Sequence, residues 1–238
     1  MMILKAQNTK LALVATLTLL LASTAVWADR VTSVMTPDVQ ANVTPAKALT
    51  MLKEGNARFV SGNLTDYDYI AQVKQTAKGQ FPFATVLSCL DSRIPPEIVF
   101  DRGIGDLFVA RVAGNFTNDD ILGSFEFASK LAGSKLIVVM GHTECGAVKG
   151  ACDAAQIGLL STTLASINPA VTAVEGYNPR NSTNPEFVQA VSEMNVRLTM
   201  KTLRDRSVVL RQMIESGEIA LVGAMYDINT GKVTFFED

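Results

Sequence analysis

The sequence predicts an α/β fold: a mainly parallel central sheet flanked by helices, with a helical arm before it and a strand hairpin after it. Three observations predict it. Short apolar runs rich in strand formers lie at 83–88, 107–112 and 136–140. A helical pattern of Ile121, Leu122, Phe125, Phe127, Ala128 and Leu131 separates the second run from the third. Strands alternating with helices pair in parallel, and continuous apolar runs mark strands covered on both faces. The chain then finishes on two further strand patterns, 219–227 and 232–236, joined by the turn residues Asn229, Thr230 and Gly231.

In chain order, residues 1–28 read as a signal peptide. Lys5 and Lys10 give a short positive region, the apolar run 11–21 follows, and Val26, Trp27 and Ala28 place small residues where a signal peptidase reads. Cleavage is expected after Ala28. The alternative, a membrane anchor, has an apolar segment short of the roughly 20 residues a span needs. Residues 29–43 are polar with small residues and Pro37, an extended arm. Thr44 and Pro45 then form an N-cap followed by proline at the first helical position, and Leu49, Leu52, Ala57, Phe59 and Val60 carry an amphipathic helix to Gly62. Beyond the third apolar run, 147–164 suits one helix or two. Pro169, Gly176, Pro179 and Pro185 mark 166–185 as a loop. Residues 186–215 read as one long, bent helix that Ser216 and Gly217 stop.

Composition narrows the function. After cleavage, residues 29–238 are enough for one domain with one core. The charge balance moves from 21 basic against 23 acidic residues to 19 against 23. No basic stripe points to nucleic acid, and no second apolar stretch is long enough to cross a membrane. Three cysteines are an odd number for an exported chain. One disulfide with a free thiol and a metal held by two thiolates both account for the count, and composition does not choose between them.

The neighbours of the cysteines say more. His142, the only histidine, follows the third strand, with Cys145 three residues on. Cys89 follows the first strand. Ligands of open α/β sheets gather at the carboxyl ends of strands, so Cys89 and His142 can converge across 53 residues. Two thiolates and one imidazole suit zinc and leave one tetrahedral position open, which is the catalytic arrangement. Cys152 lies about 10 Å further along a helix and is expected to stay off the metal. A histidine three residues from a cysteine is a weak sign by itself; a cysteine on the adjacent strand strengthens it. Asp91 and Arg93, in the loop that Cys89 opens, are spaced for a charge-assisted pair, either a loop salt bridge or a partner to the metal site.

The runs 89–97 (Cys89, Leu90, Asp91, Ser92, Arg93, Ile94, Pro95, Pro96, Glu97), 108–115 (Phe108 to Asn115) and 141–148 (Gly141 to Val148) resemble the β-class carbonic anhydrases in order and spacing. Residues 55–59 resemble that family's N-terminal helix motif, and Tyr226 and Asp227 with 230–232 its last hairpin, so the resemblance runs from about residue 45 to the end. It implies Cys89, His142 and Cys145 as ligands of one zinc ion and Asp91–Arg93 as the catalytic dyad. It implies Gln80, Phe108, Phe127 and Gly146 as substrate-pocket residues, with the glutamine and aromatic groups supplied by the neighbouring subunit of a homodimer or homotetramer. Phe127 stands where many members carry a tyrosine. Some members close at low pH around a second bicarbonate site that uses a tryptophan. The chain after Ala28 has none, and with Gln80 this implies the continuously active form.

The implied activity is reversible hydration of carbon dioxide to bicarbonate and a proton by zinc-bound hydroxide, in the periplasm or outside the cell. The alternatives are a related zinc hydrolase acting on carbon disulfide or carbonyl sulfide, and a non-catalytic descendant. With His142 on the metal, proton removal is expected to run through buffer, water or carboxylates. Cys152 is expected to pack as a small hydrophobe, the sharper alternative being a redox role.

Overall fold

The computed structural model describes residues 30–236; the signal-peptide segment lies outside the described residues. Five strands form one sheet in the order β2-β1-β3-β4-β5. They are β1 (Ala84–Ser88), β2 (Leu107–Arg111), β3 (Leu136–His142), β4 (Ala220–Tyr226) and β5 (Val233–Phe235). The first four run parallel, and β5 returns antiparallel on β4. The mainly parallel sheet and its terminal hairpin are as the sequence predicts.

Every residue of β1 and β3 is buried. Side chains alternate across a strand, so two cores form. Leu136, Val138 and Met140 belong to one, together with Leu52, Val148, Ile167 and Phe187. Ile137 and Val139 belong to the other, with Phe125, Leu203, Leu210 and Met213. That double coverage is why the strands read as continuous apolar runs.

Helix α1 (Pro37–Ala41) corrects the extended arm: Thr36 caps it and Pro37 opens it, the signature that Thr44 and Pro45 give α2 (Pro45–Ser61), which ends on Gly62 at φ 73°. Helix α3 (Tyr69–Thr76) has no counterpart in the sequence reading. Its buried residue is polar: Gln72 donates to Ser33 O (2.9 Å) and accepts from Ile104 N (3.0 Å), while Ile70 and Val73 face outward. No apolar stripe announces such a helix. The short α4 (Pro96–Val99) follows β1. Helix α5 (Asp119–Glu126) continues as a π-helical turn over Phe127–Leu131. The 147–164 pattern becomes α6 (Gly146–Cys152) and α7 (Leu160–Ala165). The expected loop after it contains α8 (Asn168–Ala173), where Pro169 lies in the first turn and starts a helix instead of breaking one.

The expected long helix is two, α9 (Pro185–Arg206) and α10 (Val208–Glu215). Ser207 between them is extended (φ −102°, ψ 109°). Its hydroxyl accepts from Leu210 N and donates to Glu126 Oε1 at 2.6 Å.

Candidate metal centre

Strand register builds the site. Ser88 pairs with Met140, so Cys89, one residue beyond, lies level with Gly141 and next to His142. His142 is the last residue of β3 itself, a small correction to its expected place just after the strand. Cys145 is the residue before the first turn of α6. All three are buried, and their ligand atoms lie within 4.8 Å of one another. The two sulfurs are 3.9 Å apart.

The histidine is oriented by its other nitrogen. Nδ1 lies 2.9 Å from Thr143 O; a carbonyl only accepts, so Nδ1 carries the proton and Nε2 presents a lone pair. Thr143 is itself fixed, donating N–H to Tyr226 O (3.0 Å) and accepting from Ile228 N at Oγ1 (3.1 Å). Nε2 is buried and has no hydrogen-bond partner among the described residues. A buried acceptor without a partner is costly, and here it stands among two thiols. The residues fit a zinc ion in donor type, number and spacing.

The two thiols act on one another. Hydrogen bonding from Cys145 lowers the Cys89 thiol against the opposing effect of burial, and the amides of Gly114 and Asp91 add to it. The Cys89 thiolate and burial push Cys145 upward. Cys152 stays outside this group: it is buried in the core, and burial first, then Asp153, raises its thiol to about 11. That matches packing as a small hydrophobe.

Asp91 and Arg93 form the anticipated pair. Arg93 donates from Nε to Oδ1 (2.9 Å), from Nη2 to Oδ2 (2.7 Å) and from its backbone N–H to Oδ1 (3.0 Å). The guanidinium holds the Asp91 carboxyl well below the usual carboxylate range. Asp91 Oδ2 lies 3.9 Å from His142 Nε2, so the carboxylate borders the ligand cluster.

Three residues of the site had no assigned role. Arg111, at the end of β2, donates to Cys89 O (3.0 Å) and to Asp91 O, tying the loop to the sheet. Gly114 donates its N–H to Cys89 Sγ at 3.3 Å. Asn195, on α9, donates to Gly114 O at 2.7 Å. The first two lie within the 108–115 run, a signal that could have marked them; nothing local marks Asn195.

The anticipated pocket residues divide. Gly146 opens α6 beside Cys145, and a Cβ there would meet nothing within 4 Å. Phe108 and Phe127 meet edge to face, with centroids 6.2 Å apart, and Phe127 is 50% exposed. Phe108 pairs with Thr85, three rows below Ser88, about 10 Å from the metal edge. Gln80 is exposed and precedes β1, whose other end leads into Cys89. Gln80 and the aromatic pair thus lie toward the end of β1 away from the ligand cluster.

Two thiols, one imidazole and an Asp–Arg pair at the carboxyl edge of a parallel sheet define the class, a zinc-type metalloenzyme on an open α/β fold. Comparison with known proteins gives the family. The carbonic anhydrase family model matches residues 84–233. Carbonic anhydrase 2 of Mycobacterium tuberculosis is 36% identical over 200 residues, covering 80% of this chain and 92% of that one. The carbonic anhydrase of Mycolicibacterium smegmatis is 36% identical over 198 residues, covering 81% and 93%. Among solved structures, a β-carbonic anhydrase of Sordaria macrospora, described as tetrameric, aligns with a TM-score of 0.61 at 26% identity, covering 69% of this chain and 85% of that one. The chain belongs to the β-class carbonic anhydrase family. It is a zinc-dependent carbonic anhydrase, interconverting carbon dioxide and bicarbonate.

Proposed function

We propose that Cys89, His142 and Cys145 hold one zinc ion per chain and that Asp91 and Arg93 serve the reaction beside it. The observation that carries this reading is the unpartnered, fully buried Nε2 of His142 within 4.8 Å of two thiols. When bound there, zinc supplies a Lewis acid that makes hydroxide available near neutral pH. The chain's own residues do the rest. Thr143 O keeps the Nδ1 proton in place and so keeps Nε2 free to coordinate. The two-pronged grip of Arg93 holds Asp91 as an acceptor at the cluster's edge and keeps its carboxylate from becoming a fourth ligand. Gly146, with no side chain, leaves the approach beside Cys145 open.

The pocket is completed by a second copy. Gln80 precedes the far end of β1 and Phe108, paired with Phe127, stands about 10 Å along the sheet from its metal edge, so a glutamine amide or an aromatic wall at the substrate comes from a neighbouring subunit. The edge strand β2 is only half-buried, and Phe127, which packs on its Phe108, and Leu131 one turn further on are exposed (50% and 77%). A homodimer or homotetramer accounts for both. Residues 1–28 direct export to the periplasm or the exterior, and amino-terminal sequencing of the exported protein should begin at Asp29.

The test is metal analysis with a hydration assay across pH 6–9. Cys89→Ser should lose both zinc and hydration; unchanged hydration would sink the site assignment. Carbon disulfide and carbonyl sulfide, assayed alongside, should turn over more slowly than carbon dioxide.

A further inference from the structure

We propose that Asn195 is a positioning residue for the Cys89 thiolate, acting through the backbone of Gly114. The proposal rests on the reading of Cys89 as a zinc ligand.

Asn195 is 3% exposed on α9, between the core residues Val191, Val196 and Thr199. Asparagine is a weak helix former, and a buried amide costs free energy unless it is hydrogen-bonded. Its Nδ2 donates to Gly114 O at 2.7 Å. The same residue's N–H donates to Cys89 Sγ at 3.3 Å. One backbone residue therefore links a side chain of α9 to the sulfur, 106 positions earlier in the chain.

Gly114 has little freedom to evade this linkage. It is left-handed (φ 81°), and a Cβ there would lie 2.4 Å from Ile167 Cδ1 and 3.5 Å from Ala147 Cβ. The turn is wedged between Ile167 and the first turn of α6, which follows Cys145. Asn115 N–H to Val112 O (2.9 Å) closes the turn from the other side. An N–H aimed at sulfur occupies one of its lone pairs and so sets the direction of those left for a metal. The Asn195 amide holds that N–H on target by fixing the tilt of the turn. Outer partners of metal ligands typically govern metal affinity by 10–100-fold.

The experiment is zinc affinity by chelator competition on the full-length mature protein, together with the sulfur-to-cobalt charge-transfer band of the cobalt-substituted form. Asn195→Leu keeps the volume and removes the donor; Asn195→Ala removes both; Asn195→His keeps a donor at nearly the same distance from the backbone. We expect the Leu and Ala variants to bind zinc roughly 10–100-fold more weakly and to shift the cobalt band, and the His variant to stay near the parent on both. Parental affinity and an unmoved band in Asn195→Leu, with only the melting temperature lowered, would overturn the proposal in favour of a purely structural bond. Equal loss in Leu and His variants would also overturn it. Should Asn195→Ala fail to fold, the Leu–His pair still decides. Cys89→Ser, run in parallel, separates the two readings. Zinc retained in Cys89→Ser rejects the ligand assignment; zinc lost there but kept in Asn195→Leu rejects this proposal alone.

Discussion

His142 has two ring nitrogens and the fold commits one of them: Nδ1 is bonded to Thr143 O, which leaves Nε2 for the metal and neither for moving a proton. Since His142 is the only histidine, turnover should rise steeply with the concentration of small buffers, measured by stopped-flow hydration at constant ionic strength. A rate indifferent to buffer would contradict this. Asp101 illustrates a different single-residue commitment. It sits in a left-handed backbone position (φ 47°) and accepts from Arg58 Nε (2.5 Å), Thr65 N (3.0 Å) and Thr65 Oγ1 (2.7 Å). Burial raises its carboxyl pKa, but Arg58 and Thr65 outweigh burial and leave it below the usual value. A carboxylate depressed in the folded state adds stability that is present above its unfolded pKa, about 3.9, and is lost as pH falls through the lower folded value. Asp101→Asn, which tolerates the same backbone region, should therefore be less stable than the parent at pH 7. The gap should narrow below about pH 4, as read from urea unfolding.

At the scale of elements, the boundary between α9 and α10 is decided by one hydroxyl. Ser207 is 2% exposed, caps α10 through Leu210 N, and reaches Glu126 on α5. Ser207→Ala should cost about 1 kcal/mol through the lost cap, a fall of roughly 2–4 °C in melting temperature for a chain of this size. A calorimetric scan measures it, and an unchanged midpoint would mean the break is enforced by packing alone. The helical periodicity of 186–215 was legible, because Val188, Val191, Leu203, Leu210 and Met213 do face the cores. The break was not, because serine in a helical pattern reads the same whether its hydroxyl faces solvent or a distant glutamate. Helix α3 escaped notice for a related reason: its anchor, Gln72, is a buried polar residue whose partners, Ser33 and Ile104, lie far away in sequence.

At the scale of the molecule, the sheet separates the components of the proposed site, with zinc ligands at one end of β1 and Gln80 before the other. If Gln80 acts across a subunit boundary, chains carrying Gln80→Ala and chains carrying Cys89→Ser complement one another. Refolded together in equal amounts, they should form hybrid dimers with one intact site, recovering about a quarter of parental activity when neither variant alone is active. Activity no greater than the sum of the separate variants would place Gln80's contribution within its own chain or remove it.

The Cys–His–Cys cluster, the Asp–Arg pair and the parallel sheet were all legible in the sequence. Each is written in local patterns: apolar runs of strand length, cysteine and histidine at strand ends, and two charges spaced to share one loop. Tertiary structure decided what local pattern cannot encode. The register of Ser88 on Met140 closes a gap of 53 residues onto one metal position. The carbonyl of Thr143 takes Nδ1 of His142 and leaves Nε2 free, and an asparagine 106 residues beyond Cys89 reaches back, through one glycine, to its sulfur. Hydrogen bonds of that range depend on where helices come to rest, and only the packed cores set that.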